Sequence, residues 1–203
     1  MLSLKDKFEE VRLRLGHARQ LDSAGTEPIY YLVFPIAELL DVKRQTKAWT
    51  ARLENDGWSV VTLSIAEVVE TFLQQHKLRK LWLMSEKQIM AESDQKRTSL
   101  DCREINKTLE KALSHDSKLV PDLLALIDAK RLEAEAVPNG LLLITDLEAL
   151  HPYLRINTIE EHLRTNTCRP VVVLYPGTRE GKTSLKFLEF YPADPNYRSE
   201  HIG

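Results

Sequence analysis

The chain has 203 residues, 43% of them hydrophobic, and a formal net charge of −2, enough apolar material to bury a full core in one domain. That charge balance excludes the broad basic field of a nucleic-acid binder, and no apolar run approaches the roughly 20 residues that would span a bilayer. Two cysteines, Cys102 and Cys168, form neither a CxxC pair nor a metal clip, which points to a reducing compartment and a cytoplasmic protein.

Residues 2–15 place Leu4, Phe8, Val11 and Leu15 on one stripe with charges between them, predicting an amphipathic helix that Gly16 and the polar stretch from Asp22 to Glu27 release. The N-terminus carries no apolar h-region of a signal peptide. Ile29 to Phe34 (IYYLVF) is a continuous apolar run behind Pro28, read as a strand buried on both faces. A helix follows from about Ile36 to Asn55 and stops at Gly57. Trp58 to Leu63 (WSVVTL) is the second strand, and Ser64 with Glu67 three residues later forms a capping box for the next helix. This alternation predicts a right-handed βαβ crossover and a parallel sheet.

Between Trp58 and Pro121 there is neither Gly nor Pro, and much of Glu86 to Leu113 is charged. Residues 76–120 are therefore expected to form a protruding helical insertion on a single α/β domain of residues 1–203. Pro121 suits the first turn of a further helix running to about Glu135. Leu141 to Ile144 (LLLI) is a third buried strand after Pro138-Asn139-Gly140. Thr145 with Glu148, and Asn157 with Glu160, read as caps for the short helices that follow. Val171 to Tyr175 is a fourth strand. The segment after it, PGTREGKTSLKFLEF, contains Gly181-Lys182-Thr183 and invites comparison with a nucleotide-binding P-loop.

A P-loop requires four residues between its first glycine and the GK pair, so that backbone N–H groups wrap the phosphates. Gly177 and Gly181 are separated by three, and Pro176, which has no N–H, stands where that glycine belongs. The residues after Thr183 alternate, with Leu185, Phe187 and Glu189 on one side, whereas a P-loop opens into a helix. The expectation is a β-hairpin: strand 171–175, a turn built on Gly177 and Gly181, and strand 184–190. Leu141 to Asp146 does resemble a Walker B strand, whose carboxylate holds magnesium through water. The upstream strand IYYLVF is followed by PIAELL, without glycine or lysine. The fold expected is thus an open, mostly parallel sheet flanked by helices, P-loop-NTPase-like in topology without an intact Walker A, and closed by a C-terminal hairpin. Asp146 reads as a helix cap rather than a metal ligand.

No catalytic, cofactor or metal constellation stands out. His151 and His162 lie eleven apart without a third ligand at metal spacing, and Glu9-Glu10 and Glu160-Glu161 read as solvated pairs, because adjacent helical residues point apart. His76 to Lys80 is the densest basic cluster and reads as a solvated helix face. His151-Pro152-Tyr153-Leu154-Arg155 follows the third strand at its C-terminal end, the edge where open parallel sheets bind ligands. Tyr153 and Arg155, with Asn196, Tyr197 and Arg198 of the tail, are the residues expected to contact a partner.

The succession of a buried strand, Thr145-Asp146, a Pro-Tyr-Leu-Arg loop, a helix, and PVVVLYPGT…G…SLKF…NYR resembles the C-terminal half of the BrxB proteins of BREX, the bacterial phage-exclusion systems. The match is strongest over Gly140 to Arg198. The family tail tends toward a doubled tyrosine, whereas here Asn196-Tyr197-Arg198 has one. The resemblance implies a cytoplasmic defence component with no assigned enzymatic activity and no cofactor. It also implies assembly with other BREX proteins, above all the alkaline-phosphatase-like PglZ protein and then the large ATPase. The rival expectations are a nucleotide hydrolase using Asp146, Glu148 and Lys182, and a nucleic-acid-binding accessory factor using the His76–Lys80 face.

Overall fold

The computed structural model describes residues 2–20, 29–96, 107, 110–111, 120–151, 154, 156–181, 184–193 and 199–203. In chain order its elements are α1 (Leu4–Gln20), β1 (Ile29–Phe34), a 3-10 turn (Ile36–Glu38), α2 (Leu39–Asn55), β2 (Ser59–Ser64), α3 (Ile65–Gln75) and α4 (Arg79–Lys96). There follow α5 (Val120–Ala136), β3 (Gly140–Thr145), a second 3-10 turn (Leu147–Ala149), α6 (Ile156–Asn166), β4 (Val171–Glu180), β5 (Ser184–Phe187) and β6 (Glu200–Ile202). The sheet runs β2-β3-β4-β1-β6 with every neighbouring pair parallel, and β5 joins the far end of β4 antiparallel.

The continuous apolar strands are explained by burial on both faces. Tyr30, Leu32 and Phe34 of β1, Leu141 and Leu143 of β3 and Val172 and Leu174 of β4 pack against Phe8, Val11 and Leu15 of α1 and Val42, Trp49 and Leu53 of α2. The alternate residues Ile29, Tyr31, Val33, Leu142, Ile144, Val171 and Val173 pack against α3, α5 and α6. Each such side chain, taken wholly out of water, contributes roughly 1.5–3 kcal/mol before entropy is charged against it. Phe8 stacks on Trp49 with ring centroids 4.6 Å apart, locking α1 onto α2.

Several expectations are corrected. Gly16 does not end α1, which continues to Gln20; its absent side chain leaves open space, and the helix bonds continue past it. The hairpin exists, but β4 runs through Gly177 to Glu180 instead of turning there. Gly177 serves close approach: a Cβ would come within 2.2 Å of the Lys186 carbonyl oxygen. β5 ends at Phe187 rather than residue 190, because Leu188 and Glu189 both take positive φ and the Tyr191 amide turns back to the Phe187 carbonyl. The tail supplies a strand that the sequence reading did not contain, β6, laid parallel on β1. Of the expected helical insertion, α4 and the helical residues Lys107, Glu110 and Lys111 fall within the described residues; the rest of residues 97–119 falls outside them. Among the described residues no helix is long and apolar enough to cross a membrane.

Candidate functional site

The chain leaves β1 toward the α1–α2 face and leaves β3 toward the opposite face, with β4 between them. A crevice therefore opens over the carboxyl ends of the strands, at the switch point where open α/β sheets take ligands. Its lining comprises Phe34, Leu39, Val42, Lys43, Thr46, Thr145, Asp146, Glu148, Leu174 and Pro176, and its volume is about 190 Å³. That lies below the roughly 300 Å³ at which small-molecule pockets begin.

Asp146 stands at the centre of the polar wall. Its φ of 59° is in the left-handed region, which Asp tolerates better than most residues. One carboxylate oxygen accepts from the Ser64 hydroxyl at 2.8 Å and from the Thr145 hydroxyl at 2.8 Å. The other pairs with the Lys43 ammonium at 2.8 Å, and Lys43 also reaches Glu148 at 2.5 Å. Burial pushes the Asp146 carboxyl up, but the Lys43, Thr145 and Ser64 contacts together outweigh it and hold the group below its usual range. Burial likewise lowers Lys43, and its two carboxylate partners more than restore it.

These contacts revise the local expectations. Ser64 caps α3, accepting from the Glu67 amide at 3.4 Å, while its hydroxyl proton goes to Asp146. Asp146 sits at the N-cap position of the following turn but makes no side-chain cap bond. Thr145 does not cap either; its hydroxyl is spent on Asp146. Lys43 was the missed member. It is one of several cations on the polar face of α2, and sequence spacing does not tell which of them spans to another strand.

Glu160 corrects a second expectation. It is not a solvated partner of Glu161 but 6% exposed, accepting from the Tyr31 hydroxyl at 2.7 Å and the Ser199 hydroxyl at 2.9 Å. A carboxylate this buried is supported by such bonds rather than by water. Its place on the inner side of α6, three residues before buried Leu163, is the signal that a helical-period reading could have used.

His151 stacks on Phe187 with ring centroids 3.8 Å apart, and His162 bonds Asp128 at 2.9 Å. No group of three or more potential metal ligands occurs among the described residues. Cys168 is an exposed thiol; Cys102 lies outside the described residues. The five residues expected to contact a partner, Tyr153, Arg155, Asn196, Tyr197 and Arg198, all lie outside the described residues, as does Lys182. Their described neighbours converge: Leu154 and Ile156 are buried at the start of α6, and Ser199 is tied to Glu160 of the same helix.

A family profile described as BREX protein BrxB matches residues 64–202. The chain belongs to the BrxB family. No curated protein and no solved structure matches it. The matched region of this BrxB protein holds Ser64, Asp146, Glu148 and Glu160, whereas Lys43 and β1 lie upstream of it. As a member of a BREX family, the chain is a component of a phage-defence system.

Proposed function

We propose that this chain is a non-catalytic assembly or regulatory subunit of a BREX-type phage-defence complex, built on a P-loop-like sheet that lacks its phosphate cradle. The observation that carries the reading is the state of Asp146. A Walker B carboxylate must offer an oxygen to magnesium-bound water; here both oxygens are already engaged, by an ammonium on one side and two hydroxyls on the other. The loop after β1, Pro35-Ile36-Ala37-Glu38, contains no glycine, and its first residue has no N–H to donate. Lys43 therefore acts as an internal counter-ion, and the crevice works as a polar clamp between α2 and β3.

Partners follow from the family: other BREX proteins, with the PglZ-like protein first and the large ATPase second. Convergence of the Leu154 and Ser199 ends on α6 supports a contact region that combines Tyr153 and Arg155 with Asn196, Tyr197 and Arg198. The second reading, a nucleotide hydrolase using Asp146, Glu148 and Lys182, draws on the placement of Asp146 at the strand-end crevice. Calorimetric titration with ATP and magnesium separates the two. The assembly reading expects no heat of binding for the native chain, for Lys43→Ala or for Asp146→Asn. Saturable, magnesium-dependent heat that Asp146→Asn abolishes would establish the hydrolase reading instead.

A further inference from the structure

Strand β2 is an edge of the sheet, paired with β3 alone among the described residues. Two bonds fix the phase of that pairing. The Ser59 amide donates to the Asn139 carbonyl at 2.9 Å, and on the far side of β3 the Leu142 amide donates to the Pro170 carbonyl at 3.0 Å. Along a strand, the N–H and C=O of one residue point to the same side, and successive residues alternate. Ser59, Val61 and Leu63 therefore aim their backbone groups at β3, whereas Val60 and Thr62 aim theirs at the open side. Trp58, in the same outward series, already gives its N–H to the Leu53 carbonyl at 3.1 Å. Among the described residues neither Val60 nor Thr62 bonds anything on that side, and Thr62 is exposed.

Proteins shield such edges with lysine, proline, bulges or very short strands. The opposite edge follows that rule, since β6 has three residues. β2 does not. It has six residues, its register with β3 is continuous, and no charged residue or proline occurs from Gly57 to Ala66. That neutrality favours one occupant. A two-fold contact sets each residue near its own copy, so any charge there would face itself; a strand of another protein imposes no such restriction. The geometry agrees. Val60 and Thr62 are symmetric about Val61, so an antiparallel copy with Val61 on the two-fold axis sets Val60 opposite Thr62 twice. Four bonds between the copies then satisfy every outward N–H and C=O of these two residues, and the β-branched Val60 and Thr62 side chains become cross-strand neighbours.

We propose that β2 pairs antiparallel with β2 of a second copy of this chain, about a two-fold axis through Val61, joining the two sheets into one. This contact does not depend on Asp146 or on the region around α6.

The test measures the mass of the full chain by light scattering on a size-exclusion column at micromolar concentration. The native chain is expected at twice 23.4 kDa. Thr62→Pro removes an outward donor and leaves the bonds to β3 in place, and it should raise the dissociation constant of the dimer at least about tenfold. Disulfide trapping, in a background of Cys102→Ser and Cys168→Ser, reads the register. Val61→Cys places its Cα about 4.5 Å from its copy and should cross-link the dimer. Thr62→Cys, offset from its own copy by two residues, should cross-link only when mixed with Val60→Cys chains, a pair that keeps the test open if the buried Val61 does not tolerate substitution. A monomeric native chain, a dimer that Thr62→Pro leaves intact, or a dimer without the Val60–Thr62 cross-link would overturn the proposal. Adducts of the Thr62→Cys chain with a different BREX protein would do so as well, by assigning the edge to a partner's strand.

Discussion

On β6 the imidazole of His201 lies against the Tyr31 ring at 5.5 Å, and Arg179 donates to the His201 carbonyl at 3.3 Å. Burial, with the nearby Arg179 charge, pushes this histidine down to about 4. The folded state therefore holds it neutral while the unfolded chain, near 6.5, takes up a proton first. Its contribution to stability is complete above pH 6.5 and is lost as pH falls from there toward 4, on the order of 3 kcal/mol over the interval. Urea unfolding midpoints measured at pH 7, 6 and 5 should decline in the native chain and decline less in His201→Gln; equal slopes would contradict this. Asp146 acts in a different window, since its depressed carboxyl stabilises the fold above its ordinary value and ceases to do so only as pH falls below it. Neither environment was legible in the sequence. Nothing in the spacing around His201 marks it as buried until β6 is known, and Lys43 is indistinguishable from Lys47 until α2 is set beside β3.

The elements with strong periodicity were legible because burial dictates their pattern. IYYLVF and LLLI are apolar without alternation since helices cover both faces of the sheet, and Phe8, Val11 and Leu15 repeat because α1 covers one of them. The hairpin was legible for the same kind of reason: the alternation after Thr183 fits a ladder, and β4 pairs with β5. β6 was not, because three residues are too few to show a period of two. It is held by register on β1 and by the Ser199–Glu160–Tyr31 bonds. Tyr31→Phe removes the donor from a buried carboxylate and should cost about 1.5–3 kcal/mol. In a double-mutant cycle with Ser199→Ala, the two changes should be non-additive by at least about 0.5 kcal/mol, since both bonds end on Glu160. Strict additivity in urea unfolding would show that the two hydroxyls do not share one network.

Across the whole molecule, the residues upstream of the family match are structural rather than accessory. β1 sits between β4 and β6, and α2 brings Lys43 to Asp146. The strand-end crevice, the usual place for chemistry in such a sheet, is filled by this internal ion pair and leaves about 190 Å³. Among the described residues α4 carries exposed Leu81 and Met84. The most direct test expresses the tagged chain with the neighbouring BREX genes and follows it through size-exclusion chromatography. Stoichiometric co-elution with the PglZ-like protein or the large ATPase is predicted, and Arg155→Glu with Arg198→Glu should weaken it. Elution of the chain alone, with its neighbours demonstrably expressed, would contradict the assembly role.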